Sequence, residues 1–577
     1  MNMENKYFKF RILLVGAFFL IAFMVISAKV IHLQVYRSPW LSQKASDQYE
    51  QSLTTSGKRG IIYDRNLREM AVSINVTSIA AYPPRLEGTQ FTAKVLADIL
   101  NLDAAKIQRK LAANKPFVWI KRQTTAKETR AVRELQIPGI DFVTEYNRFY
   151  PHTTLAAQAL GFTGLDGAGL EGIEFYYNQL LKGAPKKFTV FKDALGNGFS
   201  AEPERSANNR GHDLILTIDS NIQYITEKAL QEAVDQYSAL SALAIVMQPR
   251  TGAILAIAHC PHINPNAYAD FDKSLWRNRA VTDSFEPGST MKIFSAAAAL
   301  EYGETTPSSI FYCENGAYRI GKNVVHDIHK HGWLSLQQII KFSSNIGAVK
   351  VGEKVGAKNL YRTLRNFGFG RKTGIDSPGE TTGSLSNYRS WSNIDTGAIS
   401  FGHGVSVSAI QMVTAVSAIA NDGILMKPYI VQEIVNQNDH PVKRFKPQEI
   451  RRAISARTAK IVKNIMKTVI TEGGTGVNAA LDGYSVGGKT GTSRKLDENG
   501  QYSVNSHTAS FIGFTPADNP EIAVIVVIDE PKGKYYGGIV AAPVFKQIAQ
   551  QTLNYLNVPP DGGTTKFRVS LDSEAQG

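Results

Sequence analysis

Three short motifs occur in one order along this chain, and together they constrain its fold more than any other feature. They are Ser289-Thr-Met-Lys292, Ser343-Ser-Asn345 and Lys489-Thr-Gly491. In the first motif a serine and a lysine stand three residues apart, and residues at that spacing share one face of a helix. Serine is a poor nucleophile without an adjacent base. We therefore expect a helix that holds Lys292 beside Ser289, where the lysine can accept the serine proton.

The segment that begins at Ser289 is predicted to be helical. Its sequence, through Leu300, is rich in alanine and other good helix formers, and Pro287-Gly288 forms a turn before it. At a helix N-terminus, free backbone N–H groups and the positive end of the dipole favour developing negative charge. A lysine accepts a proton only if its pKa falls from about 10.4 toward neutrality, which burial and nearby positive charge achieve. The candidates to supply both are Met291, Ile293, Phe294 and Lys489.

The first two motifs differ in how specific they are. No other serine in the sequence begins an S-x-x-K pattern, so Ser289 and Lys292 give a strong signal. The S-x-N pattern, by contrast, recurs at Ser73, Ser206 and Ser503. Residues 343–345 therefore gain a role only because they follow S-x-x-K and the amphipathic run Leu334–Phe342.

K-T-G occurs twice, at Lys372–Gly374 and at Lys489–Gly491. The first copy lies among glycines and a proline without a strand pattern, so we predict a loop there. The second copy follows Gly487-Gly488 and precedes two β-rich runs, 509–514 and 522–528. This pattern predicts an edge strand that lines a cleft, with small residues that let a substrate backbone approach.

The same lysine allows a rival interpretation as a nucleotide-binding loop. Residues 483–490 match G-x-x-x-x-G-K-[ST], and residues 523–530 resemble a Walker B strand. That pattern requires a hydrophobic strand before it and a helix after it. The flanking segments, 473–482 and 494–500, are glycine-rich or polar instead. Too few residues follow Asp529 to complete a doubly wound sheet, so nucleotide binding is the weaker hypothesis.

The surrounding segments resemble a known family. Residues 276–292 closely resemble the active-site segment of division-specific class B penicillin-binding proteins of the FtsI type. Further matches to that family lie at Arg59–Asn66, Arg148–Pro151, Gly169–Glu174 and Pro543–Phe545. Three positions depart from its pattern: Leu67 replaces glycine, Ile293 replaces proline, and His403 stands where an aromatic residue is frequent. Of these, His403 bears on the shape of the substrate site.

The resemblance implies a role for each motif residue. Ser289 would attack the penultimate D-Ala carbonyl of a stem pentapeptide with Lys292 as base, and an acceptor amine would then take the acyl group. Ser343 would relay a proton to the leaving nitrogen, and Asn345 would orient Lys292 and the donor amide. The N–H groups of Ser289 and Thr492 would form the oxyanion hole. The terminal carboxylate would be bound around Lys489, Thr490, Gly491 and Thr492. This chemistry needs no metal and no other cofactor.

The resemblance also implies an α+β fold with a defined domain order. We expect a transmembrane helix, an elongated pedestal or dimerisation-like domain, and a penicillin-binding, serine β-lactamase-like transpeptidase domain with an antiparallel sheet flanked by helices. A chain of 577 residues is too long for one core. The expected bounds are 1–11 for a cytoplasmic tail, 12–31 for the anchor, 32–210 for the pedestal, 211–560 for the transpeptidase domain and 561–577 for a disordered tail.

The N-terminus predicts a membrane anchor. Residues 12–28 are uncharged and apolar, with basic residues on both sides, and the stretch extends through Ile31 if Lys29 snorkels to the interface. A cleaved signal peptide is the alternative, although Ile26 before Ala28 makes a poor cleavage site. The basic tail would stay in the cytoplasm. We therefore expect a single-pass protein of the bacterial inner membrane, with its catalytic domain in the periplasm at the division site.

Composition and minor motifs add little chemistry. The net charge is +14, but the basic residues are scattered and no nucleic-acid motif is present. Cys260 and Cys313 are expected to be buried as small apolar residues, with a disulfide as the alternative. A solvated loop, rather than a metal site, is predicted for His326, His329 and His331. Structural partners of the pedestal arginines, rather than paired catalytic carboxylates, are predicted for Glu171 and Glu174.

The implied partners are stem peptides as donor and acceptor, β-lactams, the membrane, and division-complex proteins that include an FtsW-type glycosyltransferase. Two alternatives remain. A carboxypeptidase or β-lactamase would use the same residues but send water to the acyl-enzyme, and a non-catalytic division scaffold would use the pedestal alone. Glu380 lies between the second and third motifs but lacks the E-x-x-L-N surroundings of the class A deacylation glutamate. We therefore expect water to be a poor acceptor.

Overall fold

The computed structural model divides into two compact units, and its mixture of helices with antiparallel sheets confirms the predicted α+β class. It describes residues 4–41, 44, 50–55, 57–113, 115–192, 198–200, 210–496 and 501–561. The first unit comprises residues 1–57, 75–147 and 184–209, and the second comprises residues 58–74, 148–183 and 210–577. Apart from Asp561, the tail predicted at 561–577 lies outside the described residues.

The N-terminal segment forms one long helix, Glu4–Ile31, which continues into a π-helical turn, His32–Tyr36. The span Lys6–Tyr36 is long and apolar enough to cross a membrane by length and composition. Its large apolar side chains, such as Leu13 and Phe23, are exposed. The predicted apolar N-terminal helix is therefore confirmed.

The rest of the first unit is a small α+β layer. Helix Thr89–Leu100 buries one face, including Leu96 and Leu100, against Ile79 from the strand Glu69–Ala81. The other helices are Ala104–Leu111, which Asp103 caps, and Ala126–Glu134, which begins with a capping box. The other strands are Glu50–Thr55, Val118–Thr124, Ile140–Phe149, Lys186–Lys192 and Gly198–Ser200.

Two ranges that the sequence placed in the pedestal, 58–74 and 148–183, pack within the second unit. A buried charge network joins the two ranges to each other. Glu174 is fully buried, and its carboxylate oxygens accept hydrogen bonds from Arg59 Nε and Arg148 Nε, each at 2.5 Å. Burial would raise the pKa of Glu174, but the two guanidinium groups hold it below its ordinary value. The structural role predicted for Glu174 is confirmed.

The second unit is built around a five-stranded antiparallel sheet, as predicted. In chain order its strands are β1 (Ser241–Met247), β2 (Ile254–Cys260), β3 (Gly487–Leu496), β4 (Tyr502–Thr515) and β5 (Ile522–Asp529). Their spatial order is β2-β1-β5-β4-β3. Strand β5 is buried along its whole length because helices cover both faces of the sheet. Helices Ser220–Tyr237 and Ala542–Tyr555 lie on one face, and helix Ala409–Ala420 lies on the other.

A mostly helical insertion separates β2 from β3 in sequence. Strand β3 stands last in the sheet order, beside β4, so it is the edge strand that the sequence predicted. The longer helices of the insertion are Lys292–Glu301, Leu336–Phe342, Asn345–Val355, Ala357–Asn366, Asn393–Ser400, Ala409–Ala420 and Ala456–Thr468. Its strands are Ile310–Tyr312, Ala317–Ile320, Asn323–His326, Trp333–Ser335, Ile424–Met426, Val431–Val435, Pro441–Arg444 and Glu449–Arg452.

The remaining elements of the second unit are short. The helices are Ala157–Leu160, Gly172–Tyr176, Asn178–Leu181, Arg279–Thr282 and Gly537–Val540, and the strands are Ile62–Tyr63 and Asp213–Leu216. Cys260 and Cys313 are both free and buried, so the disulfide alternative is wrong and their burial as small apolar residues is confirmed.

Candidate active site

Ser289 lies on the turn that leads into the central helix of the insertion. The residues Gly288–Met291 form a 3₁₀ turn, and the α-helix, Lys292–Glu301, begins at the lysine of the motif. The predicted helix therefore starts with a tighter turn than expected, as helix N-termini often do. Gly402 packs directly on this turn, because a Cβ at residue 402 would lie 2.1 Å from the carbonyl oxygen of Gly288.

Lys292 is fully buried beneath the serine. Its Nζ lies 3.0 Å from Ser289 Oγ, 2.7 Å from Asn345 Oδ1 and 2.6 Å from the carbonyl oxygen of Ser343. Burial lowers the pKa of Lys292 to about 7, against the opposing charge of Asp327. A substantial fraction of this lysine is therefore neutral near pH 7, and the neutral amine can accept a proton from the Ser289 hydroxyl.

The second motif lies where two helices meet. Helix Leu336–Phe342 ends at Ser343, which has a left-handed backbone with φ of +61°. Helix Asn345–Val355 follows, with the Ser344 side chain as its N-cap. This tight connection turns the Ser343 hydroxyl toward Lys292 Nζ, at 3.2 Å.

Asp327 anchors this junction, and the sequence interpretation missed it. Its carboxylate accepts hydrogen bonds from Ser344 Oγ at 2.6 Å, from the Asn345 N–H at 2.5 Å and from the Ile346 N–H at 3.0 Å. The preceding carbonyl, of His326, accepts a hydrogen bond from Asn345 Nδ2 at 2.9 Å. A lone aspartate in a histidine-rich loop gives no local signal of this role, because its partners lie 17 to 19 residues further along the chain.

Lys489 reaches the same serine from the edge strand β3. Its Nζ lies 2.9 Å from Ser343 Oγ, so the Ser343 hydroxyl stands between the two buried lysines. Burial and the nearby Lys292 charge place the pKa of Lys489 well below its ordinary value. Thr490 Oγ1 lies 3.3 Å from Lys489 Nζ and donates a hydrogen bond to Thr475 Oγ1 at 3.0 Å.

A cavity of about 540 Å³ opens above these groups. Six of the eight predicted site residues line it, with the fully buried Lys292 and Lys489 beneath them: Ser289, Ser343, Asn345, Thr490, Gly491 and Thr492. Gly491 permits close packing, because a Cβ there would lie 2.3 Å from Ser510 Oγ and 2.9 Å from a methyl group of Thr290. The Thr492 hydroxyl accepts a hydrogen bond from the Gly537 N–H at 3.0 Å. The structure thus brings the eight predicted site residues together.

The loop histidines require a correction. His329 and His331 line this cavity together with Ile328 and Phe342. The predicted solvated loop is confirmed for His329, which is exposed, but it is wrong for His331, which is half-buried and stacks on Phe342. It is also wrong for His326, which ends the strand Asn323–His326. Asp327 draws this loop against the second motif through its hydrogen bonds to Ser344 and Asn345. Within the described part of the chain, no group of three or more His, Cys, Asp or Glu side chains could hold a metal ion.

The backbone conformation decides between the two hypotheses for the second K-T-G copy, an edge strand and a nucleotide-binding loop. Residues 487–496 form a strand that pairs with β4, whereas a phosphate-binding loop must lead into a helix, so the nucleotide-binding hypothesis is wrong. The first copy is a loop, as predicted. There the Glu380 carboxylate accepts hydrogen bonds from Thr373 N–H at 2.5 Å and Gly374 N–H at 3.1 Å, so this glutamate serves as a turn anchor.

Comparison with known proteins gives the family. The chain matches the family model of the penicillin-binding protein transpeptidase domain over residues 242–550 and that of the penicillin-binding protein dimerisation domain over residues 54–216. It is 35% identical to the probable peptidoglycan D,D-transpeptidase PenA of Neisseria meningitidis, over 96% of this chain and 94% of that protein. It is 32% identical to the peptidoglycan D,D-transpeptidase FtsI of Escherichia coli, over 97% and 94% respectively.

Two further relatives extend the comparison. Stage V sporulation protein D of Bacillus subtilis is 34% identical, over 97% of this chain and 88% of that protein. Among solved structures, penicillin-binding protein 3 of Mycobacterium tuberculosis in complex with aztreonam superimposes with a TM-score of 0.68 at 26% identity, covering 88% of this chain and 98% of that one.

Proposed function

Because this chain belongs to the penicillin-binding protein family of peptidoglycan D,D-transpeptidases, we propose that it cross-links stem peptides at the division septum through an acyl-enzyme on Ser289. One observation carries the proposal. The fully buried Lys292 Nζ lies 3.0 Å from Ser289 Oγ, with a pKa of about 7. A serine with a neutral lysine at hydrogen-bond distance is an activated nucleophile.

In the first half-reaction Ser289 Oγ attacks the carbonyl of the penultimate D-Ala and its proton passes to Lys292 Nζ. The Ser343 hydroxyl, 3.2 Å from Lys292 Nζ and 2.9 Å from Lys489 Nζ, relays a proton to the leaving D-Ala nitrogen. Asn345 holds Lys292 through the 2.7 Å hydrogen bond to its Oδ1. Proton transfer by positioned groups of this kind contributes about 10² to 10⁴ in rate.

Two negative charges have to be stabilised in the cavity, the oxyanion of the tetrahedral intermediate and the terminal carboxylate of the donor peptide. The backbone N–H groups of Ser289 and Thr492 bind the oxyanion, and donors of this kind are worth about 3 kcal/mol each. Lys489 Nζ, with the hydroxyls of Thr490 and Thr492, binds the terminal carboxylate of the donor peptide. Burial and Lys292 lower the pKa of Lys489 in the empty site, and the negative charge of a bound carboxylate favours the protonated amine. Ammonium and hydroxyl donors opposite a carboxylate then fit the charge of the D-Ala terminus.

In the second half-reaction an acceptor amine takes the acyl group, and water is excluded as the main acceptor. The carboxylate of Glu380, between the second and third motifs, is occupied by the N–H groups of Thr373 and Gly374. It is therefore not free to activate water at Ser289. β-Lactams acylate the same serine as donor mimics and leave a slowly hydrolysed adduct.

We infer the cellular setting from the N-terminal helix and from the segment before the nucleophile. The apolar span Lys6–Tyr36 anchors the chain in the inner membrane as a single pass, with the catalytic unit in the periplasm. The lead-in to the nucleophile, residues 276–292, resembles that of the division-specific proteins, which supports a septal role. A membrane glycosyltransferase of the FtsW type supplies the strands that this enzyme joins.

Covalent labelling tests the nucleophile, and a peptide assay tests the acceptor. Ser289→Ala should abolish labelling by a fluorescent penicillin, whereas Ser308→Ala, at an exposed loop serine, should label like the unaltered protein. Incubation with a donor pentapeptide and an acceptor stem peptide should yield the joined product. Labelling that survives in Ser289→Ala, or release of D-Ala without any joined product, would contradict the proposal.

A further inference from the structure

Glu286, His403 and Tyr502 form a cluster beside the nucleophile that the acylation chemistry does not use. Nδ1 of His403 lies 3.0 Å from Glu286 Oε2 and 3.2 Å from the Tyr502 hydroxyl. The Tyr502 hydroxyl also donates to the Glu286 carboxylate, at 3.0 Å and 3.1 Å from its two oxygens, and the Gly404 N–H donates to Oε1 at 2.9 Å. The cluster therefore joins the segment before Ser289 to the start of β4.

Backbone contacts keep this cluster close to the nucleophile. The Gly288 N–H donates to the Gly402 carbonyl oxygen at 3.2 Å, and the two glycines pack without room for a Cβ on Gly402. His403 directly follows Gly402, and Gly402 packs against Gly288, which directly precedes Ser289. Both His403 and Ser289 line the cavity of about 540 Å³.

The hydrogen bonds also define which nitrogen of His403 is available. The Tyr502 hydroxyl donates to Glu286, so its oxygen is left to accept from Nδ1, and Glu286 Oε2 lies 3.0 Å from the same nitrogen. We therefore assign the proton of the neutral ring to Nδ1 and the lone pair to Nε2. No residue in the described part of the chain forms a hydrogen bond with Nε2, and the side chain is 28% exposed. Burial raises the pKa of Glu286, but hydrogen bonds from His403 and Gly404 hold it below its ordinary value. An ionised carboxylate behind an imidazole stabilises the imidazolium that forms when Nε2 takes a proton.

His403 differs from the other ionisable residues of the cavity, because a carboxylate lies behind its ring. The other ionisable residues that line the cavity are Asp327, His329, His331 and Tyr536. Asp327 is engaged by Ser344 and the start of helix Asn345–Val355. Among the described residues, His403 is the only histidine within ion-pair distance of a carboxylate.

We propose that His403 is the acceptor-side base, which takes a proton from the ammonium group of the acceptor peptide before that amine attacks the acyl-enzyme. This deepens the proposed function and rests on it. A primary amine with a pKa of about 10.4 is almost entirely ammonium at neutral pH and cannot attack a carbonyl in that form. Lys292 returns a proton to Ser289 during deacylation. A second base is therefore needed to remove the proton that makes the acceptor amine an ammonium.

The steps balance as follows. The ammonium gives one proton to His403 Nε2, which becomes an imidazolium paired with Glu286 and later releases that proton to water. The neutral amine forms a bond to the acyl carbon, the bond from that carbon to Ser289 Oγ breaks, and its electron pair returns to the oxygen. The second amine proton passes through Lys292 to Ser289 Oγ, which restores the free serine and neutral lysine.

Two acceptors of different basicity test the proposal. The purified chain would be acylated with a thioester analogue of the donor and offered either the side-chain amine of Nα-acetyl-lysine amide or hydroxylamine, which is uncharged at pH 7. Mass spectrometry would give the rate of aminolysis relative to acylation. His403→Phe should lower this ratio at least about tenfold for the lysine amine and change it little for hydroxylamine. Raising the pH should restore transfer to the lysine amine, because solution then removes the proton.

Further variants separate catalysis from packing. Glu286→Gln should reproduce the loss seen in His403→Phe, because it removes the charge that stabilises the imidazolium. Tyr224→Phe removes a hydroxyl from an exposed tyrosine outside the cluster, so its ratio of aminolysis to acylation should stay within about twofold of that of the unaltered protein. Stoichiometric penicillin labelling would verify that each variant is folded. An unchanged ratio in His403→Phe, or an equal loss with both amines, would overturn the proposal. If the unaltered chain formed no acyl-enzyme at all, the proposed function itself would fall.

Discussion

Replacing Asp327 by alanine should slow acylation of Ser289, because Asp327 holds the second motif in place. Its carboxylate accepts three hydrogen bonds, from Ser344 Oγ, the Asn345 N–H and the Ile346 N–H, at 2.5 to 3.0 Å. Hydrogen bonds to a charged group contribute about 1.5–3 kcal/mol each, and those lost at a helix N-terminus are partly replaced by water. We therefore expect the free energy that holds this junction in its observed conformation to fall by about 2–3 kcal/mol.

The loss should slow acylation because Ser343 and Asn345, which belong to this junction, both contact Lys292 Nζ. Since about 1.4 kcal/mol corresponds to a tenfold change in a population or rate, Asp327→Ala should lower the second-order rate constant of penicillin acylation by roughly 30- to 100-fold. Stopped-flow labelling with a fluorescent penicillin measures this constant directly.

Asp327→Asn provides the matched comparison. The asparagine oxygen can still accept from the Asn345 and Ile346 N–H groups, which both bond to Oδ1 in this structure, so acylation should fall less than in the alanine variant. The Asp327 charge raises the pKa of Lys292, so its removal should move the acid limb of the pH profile to lower pH. Equal acylation rates in Asp327→Ala and the unaltered protein would refute this account of the junction.

Other predictions concern the lysines and the buried charges. Lys489→Ala should reduce acylation by orders of magnitude, whereas Lys372→Ala, in the looped copy of the motif, should cost little in the same labelling assay. In the unaltered protein the acylation rate should rise with pH through about 7, because Lys292 acts as a base only when neutral, and a rate independent of pH from 5 to 9 would argue against that role. Glu174→Gln should lower the free energy of unfolding by about 3–5 kcal/mol in denaturant titrations, because it leaves two guanidinium groups buried without their carboxylate.

The local parts of the site could be predicted from sequence because they depend on spacing. Ser289 and Lys292 meet because residues three apart share one helical face, and the edge strand at Lys489 follows from glycines before a run of β-rich segments. The buried lysine pKa follows from the apolar residues around it. Each of these inferences needs only a short window of sequence.

The contacts that could not be predicted join distant segments. Arg59 meets Glu174 across 115 residues, and Tyr177 meets Asp376 across 199 residues, so part of the predicted pedestal packs within the second unit. Asp327 and the cavity-lining His329 and His331 gave no periodic pattern, because a loop takes its place from tertiary hydrogen bonds rather than from propensity. His403 was noticed as a departure from the family, but only the structure places Glu286 behind it.

The most direct test of the central claim is the intact mass of the protein after brief exposure to penicillin. The account predicts an increase equal to the whole drug, on Ser289, that persists for many minutes because the Glu380 carboxylate, the candidate for activating water, is held by the Thr373 and Gly374 N–H groups. Peptide mapping should locate the added mass on the fragment that contains residues 289–292. Rapid turnover of penicillin with no adduct, or an adduct on another residue, would contradict it.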